Sequence, residues 1–210
     1  MDKKKLLIFP TIICSLCLSF VLISFLVKMI SPKQFFQGDY PYYPEVMDIV
    51  EEADIIIVGD VVDAKKVENL MTDVTPDKSN KEAIPYTLSS IRVTEVVKGN
   101  VKVGDVLTIK QLGDYEKKPE ETLYKMDGYL EENSRELMFL AEYENSPYSP
   151  LNPAQGSVEV KEDGSLYSSN QYSLFGYKGV EAKTKTSKNN NDTLDSAIEE
   201  IKSCIKDNVE

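Results

Sequence analysis

The fold of the chain is built around the run Asp54-Ile55-Ile56-Ile57-Val58-Gly59-Asp60-Val61-Val62. Its β-branched side chains restrict χ1 and favour a strand, and the run is too short and too branched for a stable helix. We therefore predict a buried strand. Gly59 within it predicts a bulge or sharp bend, which lets one long strand serve two faces of a small barrel.

A short helix is predicted directly before this strand, over residues 45–53. Its apolar residues follow a proline and recur at the i, i+3, i+4 and i+7 spacing of an amphipathic helix. They are Val46, Ile49, Val50 and Ala53. We expect this apolar face to pack against the strand that follows.

Further strands are predicted downstream from apolar or alternating runs, at residues 86–97, 106–111, 136–143, 157–161 and 165–167. In the first of these, Tyr86 and Leu88 share one phase while Ile91 and Val93 share the other, which predicts a bulge. Asp163-Gly164 is typical of a two-residue hairpin turn. About five strands in sequence predict a mainly β domain, a small antiparallel barrel or sandwich.

Polar stretches separate these strands. Residues 63–85 contain a segment with no apolar period and predict a long mobile loop. Residues 112–133 predict a second long polar connection. Three prolines, at positions 147, 150 and 153, predict that residues 144–154 are extended and irregular.

The last part of the sequence predicts a linker and a helix. Residues 183–191 are of low complexity, and residues 192–207 carry apolar residues on one helical face, namely Leu194, Ile198, Ile201 and Ile205. This C-terminal helix either docks on the barrel or binds a partner. Docking would leave Cys204 as an inert, half-buried thiol.

A membrane anchor is predicted at residues 6–27, a run of 22 uncharged and mostly apolar residues. As a helix it would reach about 33 Å, enough to span a hydrocarbon core about 30 Å thick. Lysines concentrate before the run, so we expect residues 1–5 to be a cytoplasmic tail. Residues 28–44 would then form a juxtamembrane stalk and residues 45–182 an extracytoplasmic barrel domain.

The charge of the chain restricts its partners. The net charge is −11, and residues 34–210 hold 19 basic and 34 acidic residues. Affinity for phosphate backbones comes from clustered Lys and Arg, so we expect no nucleic-acid partner. Of the 24 basic residues only Arg92 and Arg135 are arginine, a bias that fits a bacterial source.

The residue types present exclude several chemistries. The chain has no histidine, which removes Ser-His-Asp and Cys-His catalysis, and no glycine-rich phosphate-binding loop occurs. We therefore predict no catalytic residues, no metal site and no cofactor. Carboxylate groups remain as candidates for a hydrolase that cleaves a glycosidic bond, although solvated acidic loops are their usual meaning. They are Glu116, Glu120 and Glu121, or Glu131, Glu132 and Glu136.

Two groups of residues are candidate ligand sites. Gln155 and Gly156 follow a proline-rich segment and are predicted either to present backbone groups at the barrel mouth or to form a turn that starts a strand. Tyr115 and Tyr129, with Tyr124, fall in the polar insert and are predicted either to line a groove or to cover a barrel end. A tyrosine group at residues 40–43 predicts interfacial anchors or, alternatively, a stacking platform.

The sequence resembles a family of uncharacterised exported proteins of low-GC Gram-positive bacteria over roughly residues 45–165. The matching elements are Tyr86-x-x-Ser89, Val93-Thr94-Glu95-Val96-Val97-Lys98-Gly99, Lys102-Val103-Gly104-Asp105-Val106-Leu107-Thr108-Ile109, Gly128-Tyr129, the strand at 137–140, and Tyr148-Ser149-Pro150-Leu151-Asn152-Pro153-Ala154-Gln155-Gly156. The strand that begins at Ala53-Asp54 also resembles the oligonucleotide/oligosaccharide-binding (OB) barrel of netrin-like and metalloprotease-inhibitor-like modules. This resemblance implies a small antiparallel OB-like five-stranded barrel. The hallmark disulfides and zinc-chelating N-terminal cysteine of these modules have no counterpart here, so the resemblance implies an architecture and no activity.

Together these features predict a single-pass membrane protein whose extracytoplasmic domain is a binding or interaction module for an envelope protein or peptide. One alternative is an inhibitor or immunity-type module that acts on a secreted or membrane enzyme. A second alternative is a carboxylate-dependent hydrolase.

Overall fold

The computed structural model of the chain describes residues 40–73, 81–117, 128–177 and 193–207. These residues are mainly β, as predicted. In chain order the elements are α1 (Val46–Glu52), β1 (Ile55–Asp73), β2 (Lys81–Lys98), β3 (Val106–Leu112), β4 (Arg135–Tyr143), β5 (Ser146–Pro150), β6 (Ser157–Val160), β7 (Leu166–Tyr167) and α2 (Leu194–Asp207).

Five strands pair into a ring. β1 pairs antiparallel with β2 on one side and with β4 on the other, and β2 pairs antiparallel with β3. A parallel bridge between Ile109 and Tyr148 joins β3 to β5, and β5 returns antiparallel to β4. The prolines of residues 144–154 predict an extended, irregular segment, so β5 is a strand that the sequence does not predict. β6 and β7 extend the sheet outward from β4.

The run at residues 55–62 forms the first part of β1. The pairing of β1 with β2 shifts register between Val58 and Gly59, at the predicted position, but the extra residue is Thr94 of β2, because Val58 pairs with Glu95 and Gly59 with Val93. A Cβ on Gly59 would collide with the side chain of Ile91 and lie 2.9 Å from the backbone oxygen of Arg92. Only glycine permits this close approach of the two strands.

The bulge predicted in β2 between Leu88 and Ile91 is wrong. β2 pairs with β3 in one unbroken register there, and the extra residues of its pairing with β1 lie in β1, between Val61 and Lys66. β2 does carry extra residues, but they are Thr94 and Val97, further along the strand. Thr87 and Ser89 continue the inward phase of Ile91 and are as buried as that residue. The apparent change of phase arises because two small polar residues occupy interior positions at one end of the ring.

The prediction of a loop over residues 63–85 is also wrong for most of its length. β1 continues to Asp73 and β2 starts at Lys81, and the two strands pair antiparallel up to these residues. Cross-strand hydrogen bonds satisfy the backbone here, so a polar sequence without an apolar period still forms a hairpin. Residues 74–80, at the end of the predicted loop, lie outside the described residues.

β4 is the strand at which the sheet branches. Its first half pairs with β6 and its second half with β5. Between the two, Phe139 donates its N–H to the Gly156 oxygen and accepts the N–H of Leu151. Residues 151–156 therefore form a loop that leaves and rejoins the edge of β4 at a single residue.

Apolar residues pack on both faces of β1. Ile55 and Ile57 belong to a cluster inside the ring with residues of β2, β3 and β4. Ile56 and Val58 face the other way, into a cluster shared with β4, β6 and both helices. Burial on both faces explains why the start of β1 reads as a continuous apolar run.

The C-terminal helix docks on the domain. Ala197, Ile198, Ile201 and Cys204 of α2 are buried in the same cluster as Ile49 of α1. The N–H of Ser196 is bonded to the Thr193 hydroxyl, so the cap stands at Thr193. Burial raises the pKa of the Cys204 thiol, which fits the predicted inert role.

Several predicted segments lie outside the described residues: the cytoplasmic tail 1–5, the anchor 6–27, the stalk up to residue 39 and the linker 183–191. Among the residues that are described, no helix combines the length and the apolar character needed to cross a membrane. At the end of the predicted stalk, Tyr43 is buried in the core with α1 and α2. Tyr43 is therefore part of the folded domain and does not act as an interfacial anchor.

Candidate functional site

A cavity of about 640 Å³ opens beside β4, β6 and β7. Residues 128–136 form one wall, and residues 167–177 form the opposite wall. We call it the tyrosine–glutamate cleft, because four tyrosines and three glutamates line it together with serine, asparagine and glutamine side chains. These tyrosines and glutamates are Tyr129, Tyr167, Tyr172, Tyr177, Glu131, Glu136 and Glu159.

Glu136 is the buried acid of the cleft. It lies at the start of β4 with 6% of its surface exposed. The hydroxyl of Ser134 donates a hydrogen bond of 2.8 Å to its Oε1. Burial raises the pKa of Glu136 to about 7; Glu159 raises it further, while Ser134 and Lys161 oppose the rise. Near neutral pH this carboxyl group therefore exists in both protonation states.

A second carboxylate stands on the neighbouring strand. Glu159 of β6 is the cross-strand partner of Glu136. The Nζ atom of Lys161 lies 2.6 Å from Glu159 Oε1 and 4.6 Å from the centroid of the Tyr167 ring. At this edge of the cleft, the chain thus holds one of its own ammonium groups between a carboxylate and an aromatic face.

Short-range hydrogen bonds order the wall formed by residues 167–177. The Ser168 hydroxyl accepts the N–H of Asn170, and the Asn170 side chain accepts the N–H of Tyr172. Gly176 has φ +70°, and a Cβ there would lie 2.7 Å from the backbone of Leu166. Glycine therefore lets this wall pack directly against β7. The Tyr172 and Tyr42 rings meet edge-on, with their centroids 6.1 Å apart.

A glutamine inside the ring of strands forms hydrogen bonds with the wall formed by residues 128–136. Gln111 donates from Nε2 to the Gly128 oxygen at 3.2 Å, and its Oε1 accepts the N–H of Leu130 at 3.0 Å. These two bonds fix the backbone on either side of Tyr129. The Tyr129 hydroxyl donates to the Leu112 oxygen at 2.9 Å. The ring of Tyr129 is thereby held in position at the cleft.

A smaller cavity of about 290 Å³ lies against β3 and β5. Tyr40, Tyr86 and Tyr143 line it around Lys110. The Lys110 Nζ atom lies 4.0 Å from the Tyr143 ring centroid and donates to the Ser146 hydroxyl at 2.6 Å. Burial lowers the pKa of Lys110 and raises the pKa of Tyr40. The Lys110 ammonium group is therefore already bound by other residues of the chain.

The predicted pair Gln155 and Gly156 is built into the fold. Gln155 is 1% exposed, and its amide is bonded to both backbone polar groups of Tyr43 and to the side chain of Asn152. A Cβ on Gly156 would lie 2.6 Å from the Asn152 oxygen. Both residues support the loop behind the cleft. The preceding residues Pro153 and Ala154 line the cleft.

The structure brings the two predicted tyrosines together. The rings of Tyr115 and Tyr129 meet edge-on with centroids 6.5 Å apart. Tyr129 lines the cleft, and Tyr115 stands behind it, with its N–H bonded to the Thr87 hydroxyl. Of the carboxylates named from the sequence, Glu131 and Glu136 line the cleft.

The sequence does not predict that Glu159 and the wall formed by residues 167–177 belong to the site. The strand at 157–161 was predicted, but nothing in its alternation indicated that Glu159 would stand beside Glu136. Tyr167 and Tyr172 lie near the hairpin signal Asp163-Gly164, and no local pattern distinguished them from surface residues. For Glu136 the sequence does offer a signal, because this residue is an acid directly before the apolar run of β4.

The side chains that line the cleft restrict the kinds of ligand that it can bind. The described residues contain no group of three or more His, Cys, Asp or Glu side chains placed to hold a metal ion. The described residues that line the cleft include no lysine or arginine. Comparisons with protein-family models, curated proteins and solved structures found no match to this chain. The function of the chain is therefore inferred from the residues of the site.

Proposed function

We propose that the protein is a membrane-anchored, extracytoplasmic binding module that takes a ligand in the tyrosine–glutamate cleft. The observation that carries this proposal is the cleft itself. Its volume of about 640 Å³ lies within the range of about 300–1,000 Å³ that is usual for ligand pockets. A buried acid whose pKa is shifted to about 7 is a further mark of a functional cavity.

The scaffold that we propose is an OB-like barrel. The ring order β1-β2-β3-β5-β4, closed by the pairing of β1 with β4, supports this assignment. The parallel bridge between β3 and β5 is the link that such a five-stranded Greek-key barrel requires. A closed ring is a rigid support, and rigid elements hold a binding site more accurately than free loops do.

The walls of the cleft suit reversible binding. Tyrosine rings offer flat apolar faces at low entropic cost, while serine hydroxyls and the Asn170 and Gln171 amides offer hydrogen bonds. Gln111 and Gln155 fix the two loops that contribute to the site, so few groups must be ordered when a ligand binds.

One observation favours a second candidate, a carboxylate-dependent hydrolase. Glu136 and Glu159 are cross-strand partners, and the raised pKa of Glu136 is the property of a general acid. The salt bridge from Lys161 to Glu159 opposes this role, because it occupies the second carboxylate. Turnover of a wall glycan by the wild-type chain, with loss of turnover in Glu136→Gln, would establish the hydrolase instead of the binding module.

The proposed location follows from the predicted anchor. Residues 6–27 would hold the domain at a membrane surface, with the lysines at positions 3–5 on the cytoplasmic side. Net negative charge gives the domain no electrostatic attraction to anionic lipid. We therefore propose that its ligand is carried by an envelope protein or peptide near the membrane.

Saturation-transfer NMR on the full-length chain in detergent micelles tests the binding function. The panel contains small amines, amino-acid amides, neutral sugars and carboxylates. Ser169 is exposed and lines the cleft, so Ser169→Trp should fill it, whereas Ser203→Trp on the exposed face of α2 is the matched control. We expect binding that Ser169→Trp abolishes and Ser203→Trp retains. Binding that both variants retain would contradict the proposal, as would no binding to any compound.

A further inference from the structure

We infer that the tyrosine–glutamate cleft takes an organic ammonium group, such as a lysine side chain, between its tyrosine rings and the carboxylate of Glu136. This inference rests on the proposed binding function and names the ligand chemistry for the same site.

The charge of the walls selects the sign of the ligand. Three carboxylates line the cleft, while lysine and arginine are absent from its described lining residues. The whole chain also carries a net charge of −11, so its field concentrates cations and repels anions. Phosphate, carboxylate and sulfate groups are therefore poor candidates, and a cationic group is favoured.

The chain already provides two examples of ammonium groups seated on tyrosine faces. Lys161 rests between Glu159 and the Tyr167 ring at the edge of the cleft. Lys110 lies over the Tyr143 ring in the smaller cavity. A cation is attracted electrostatically to the face of an aromatic ring, and the attraction strengthens as water is excluded. Inside the cleft, Tyr172 and Tyr129 offer further rings for a ligand cation.

The buried acid provides the complementary group. Glu136 lines the cleft with 6% of its surface exposed, and the hydrogen bond that it receives from Ser134 engages only Oε1. An ionised carboxylate in such a position is costly without a counter-charge. An incoming ammonium group would supply that counter-charge. The salt bridge with Lys161 is formed by Glu159, on the neighbouring strand.

Proton linkage gives this inference a distinctive signature. Glu136 has a pKa of about 7, so a bound cation that requires the ionised form must displace its proton. Glu159, Lys161 and Tyr167 approach from β6 and β7, and Glu131 and Tyr129 from the loop before β4. Affinity should therefore rise about tenfold between pH 6 and pH 8.

The experiment is a titration of the full-length chain in detergent micelles with matched probes at pH 6 and pH 8. The probes are n-butylammonium, the peptide acetyl-Gly-Lys-Gly-amide, the same peptide with the lysine acetylated, and a neutral disaccharide. The two ammonium probes distinguish a free amine from a peptide side chain as the source. Glu136→Gln is the test variant, and Glu132→Gln, an exposed residue outside the cleft, is its control.

We expect at least one ammonium probe to bind, the acetylated peptide to bind at least tenfold more weakly than the lysine peptide, and affinity to rise about tenfold from pH 6 to pH 8. Glu136→Gln should remove the pH dependence, and Glu132→Gln should keep it. Circular dichroism of Glu136→Gln verifies that it folds. Equal affinity for both peptides, or unchanged pH dependence in Glu136→Gln, would overturn the inference.

The result also separates the inference from the proposed function. If the disaccharide or the acetylated peptide binds in the cleft and neither ammonium probe does, the ammonium assignment is wrong and the binding module stands. If no probe binds at either pH, the inference is overturned, and the wider NMR panel decides the proposed function.

Discussion

The side-chain amide of Gln155 forms hydrogen bonds with both backbone polar groups of Tyr43, which lies 112 residues earlier in the chain. Oε1 accepts the Tyr43 N–H at 3.0 Å, and Nε2 donates to the Tyr43 oxygen at 2.6 Å. The amide thus binds an extended segment as a neighbouring strand would. It ties the start of the described chain to the loop between β5 and β6.

Replacing Gln155 by alanine should cost about 2–4 kcal/mol of unfolding free energy, because both polar groups of Tyr43 lose their partner in a buried place. Urea unfolding of the full-length chain in micelles measures the loss. Gln171→Ala removes an exposed amide and should cost less than about 0.5 kcal/mol. Equal losses in the two variants would show that the Gln155 bonds do not stabilise the fold.

Gly59→Ala tests the close approach of β1 and β2 at the register shift. The added Cβ would collide with the Ile91 side chain and lie 2.9 Å from the Arg92 oxygen, which belongs to the backbone and cannot move aside cheaply. We expect a loss of about 1–3 kcal/mol in unfolding free energy, as for other overpacked sites. Thermal unfolding in micelles provides the measurement. A variant as stable as the wild type would contradict the close approach of β1 and β2.

The pH dependence of stability should carry the signature of Glu136. Burial raises its pKa from 4.5 to about 7, so the folded state keeps a proton that the unfolded state releases. The resulting stabilisation is fully present below pH 4.5 and is lost as pH rises through about 7; its size is on the order of 3 kcal/mol.

Denaturant unfolding at pH 5 and pH 8 measures this effect. The wild type should lose more stability than Glu136→Gln between the two values, because the variant has no titrating group at this position. Glu132→Gln should behave as the wild type does. A wild type and a Glu136→Gln variant with parallel pH profiles would refute the assignment.

Residues 6–27 should retain the protein in the membrane fraction. We expect the full-length chain to pellet with membranes after an alkaline carbonate wash, and a chain without residues 6–27 to remain in the supernatant. Protease added to intact cells should digest the domain in the full-length protein. Protection from protease with membranes intact would place the domain on the cytoplasmic side.

Local sequence predicted the elements whose burial is periodic or continuous. The run from Ile55 to Val58 is apolar at every position because both of its faces are covered, and this made β1 recognisable. β5 was missed because it contains Pro147 and Pro150, which cannot donate ladder hydrogen bonds. Its place in the ring depends on pairing with β4 and on one parallel bridge to β3.

The candidate site was only partly predictable, because its parts meet through long-range pairing. Tyr129 and Glu136 were named from the sequence, and both line the cleft. Glu159 joins them through the register of β4 with β6. The structural role of Gln155 depends on Tyr43, and no local pattern can indicate a partner so far away in the chain.

Intermolecular NOEs can show whether an ammonium group binds in the tyrosine–glutamate cleft. The measurement uses full-length protein with labelled tyrosine rings in micelles and the peptide acetyl-Gly-Lys-Gly-amide at pH 8. We predict NOEs from the lysine ε-methylene protons to the ring of Tyr172 or Tyr129. NOEs confined to Tyr86 and Tyr143, which line the smaller cavity, would contradict the account.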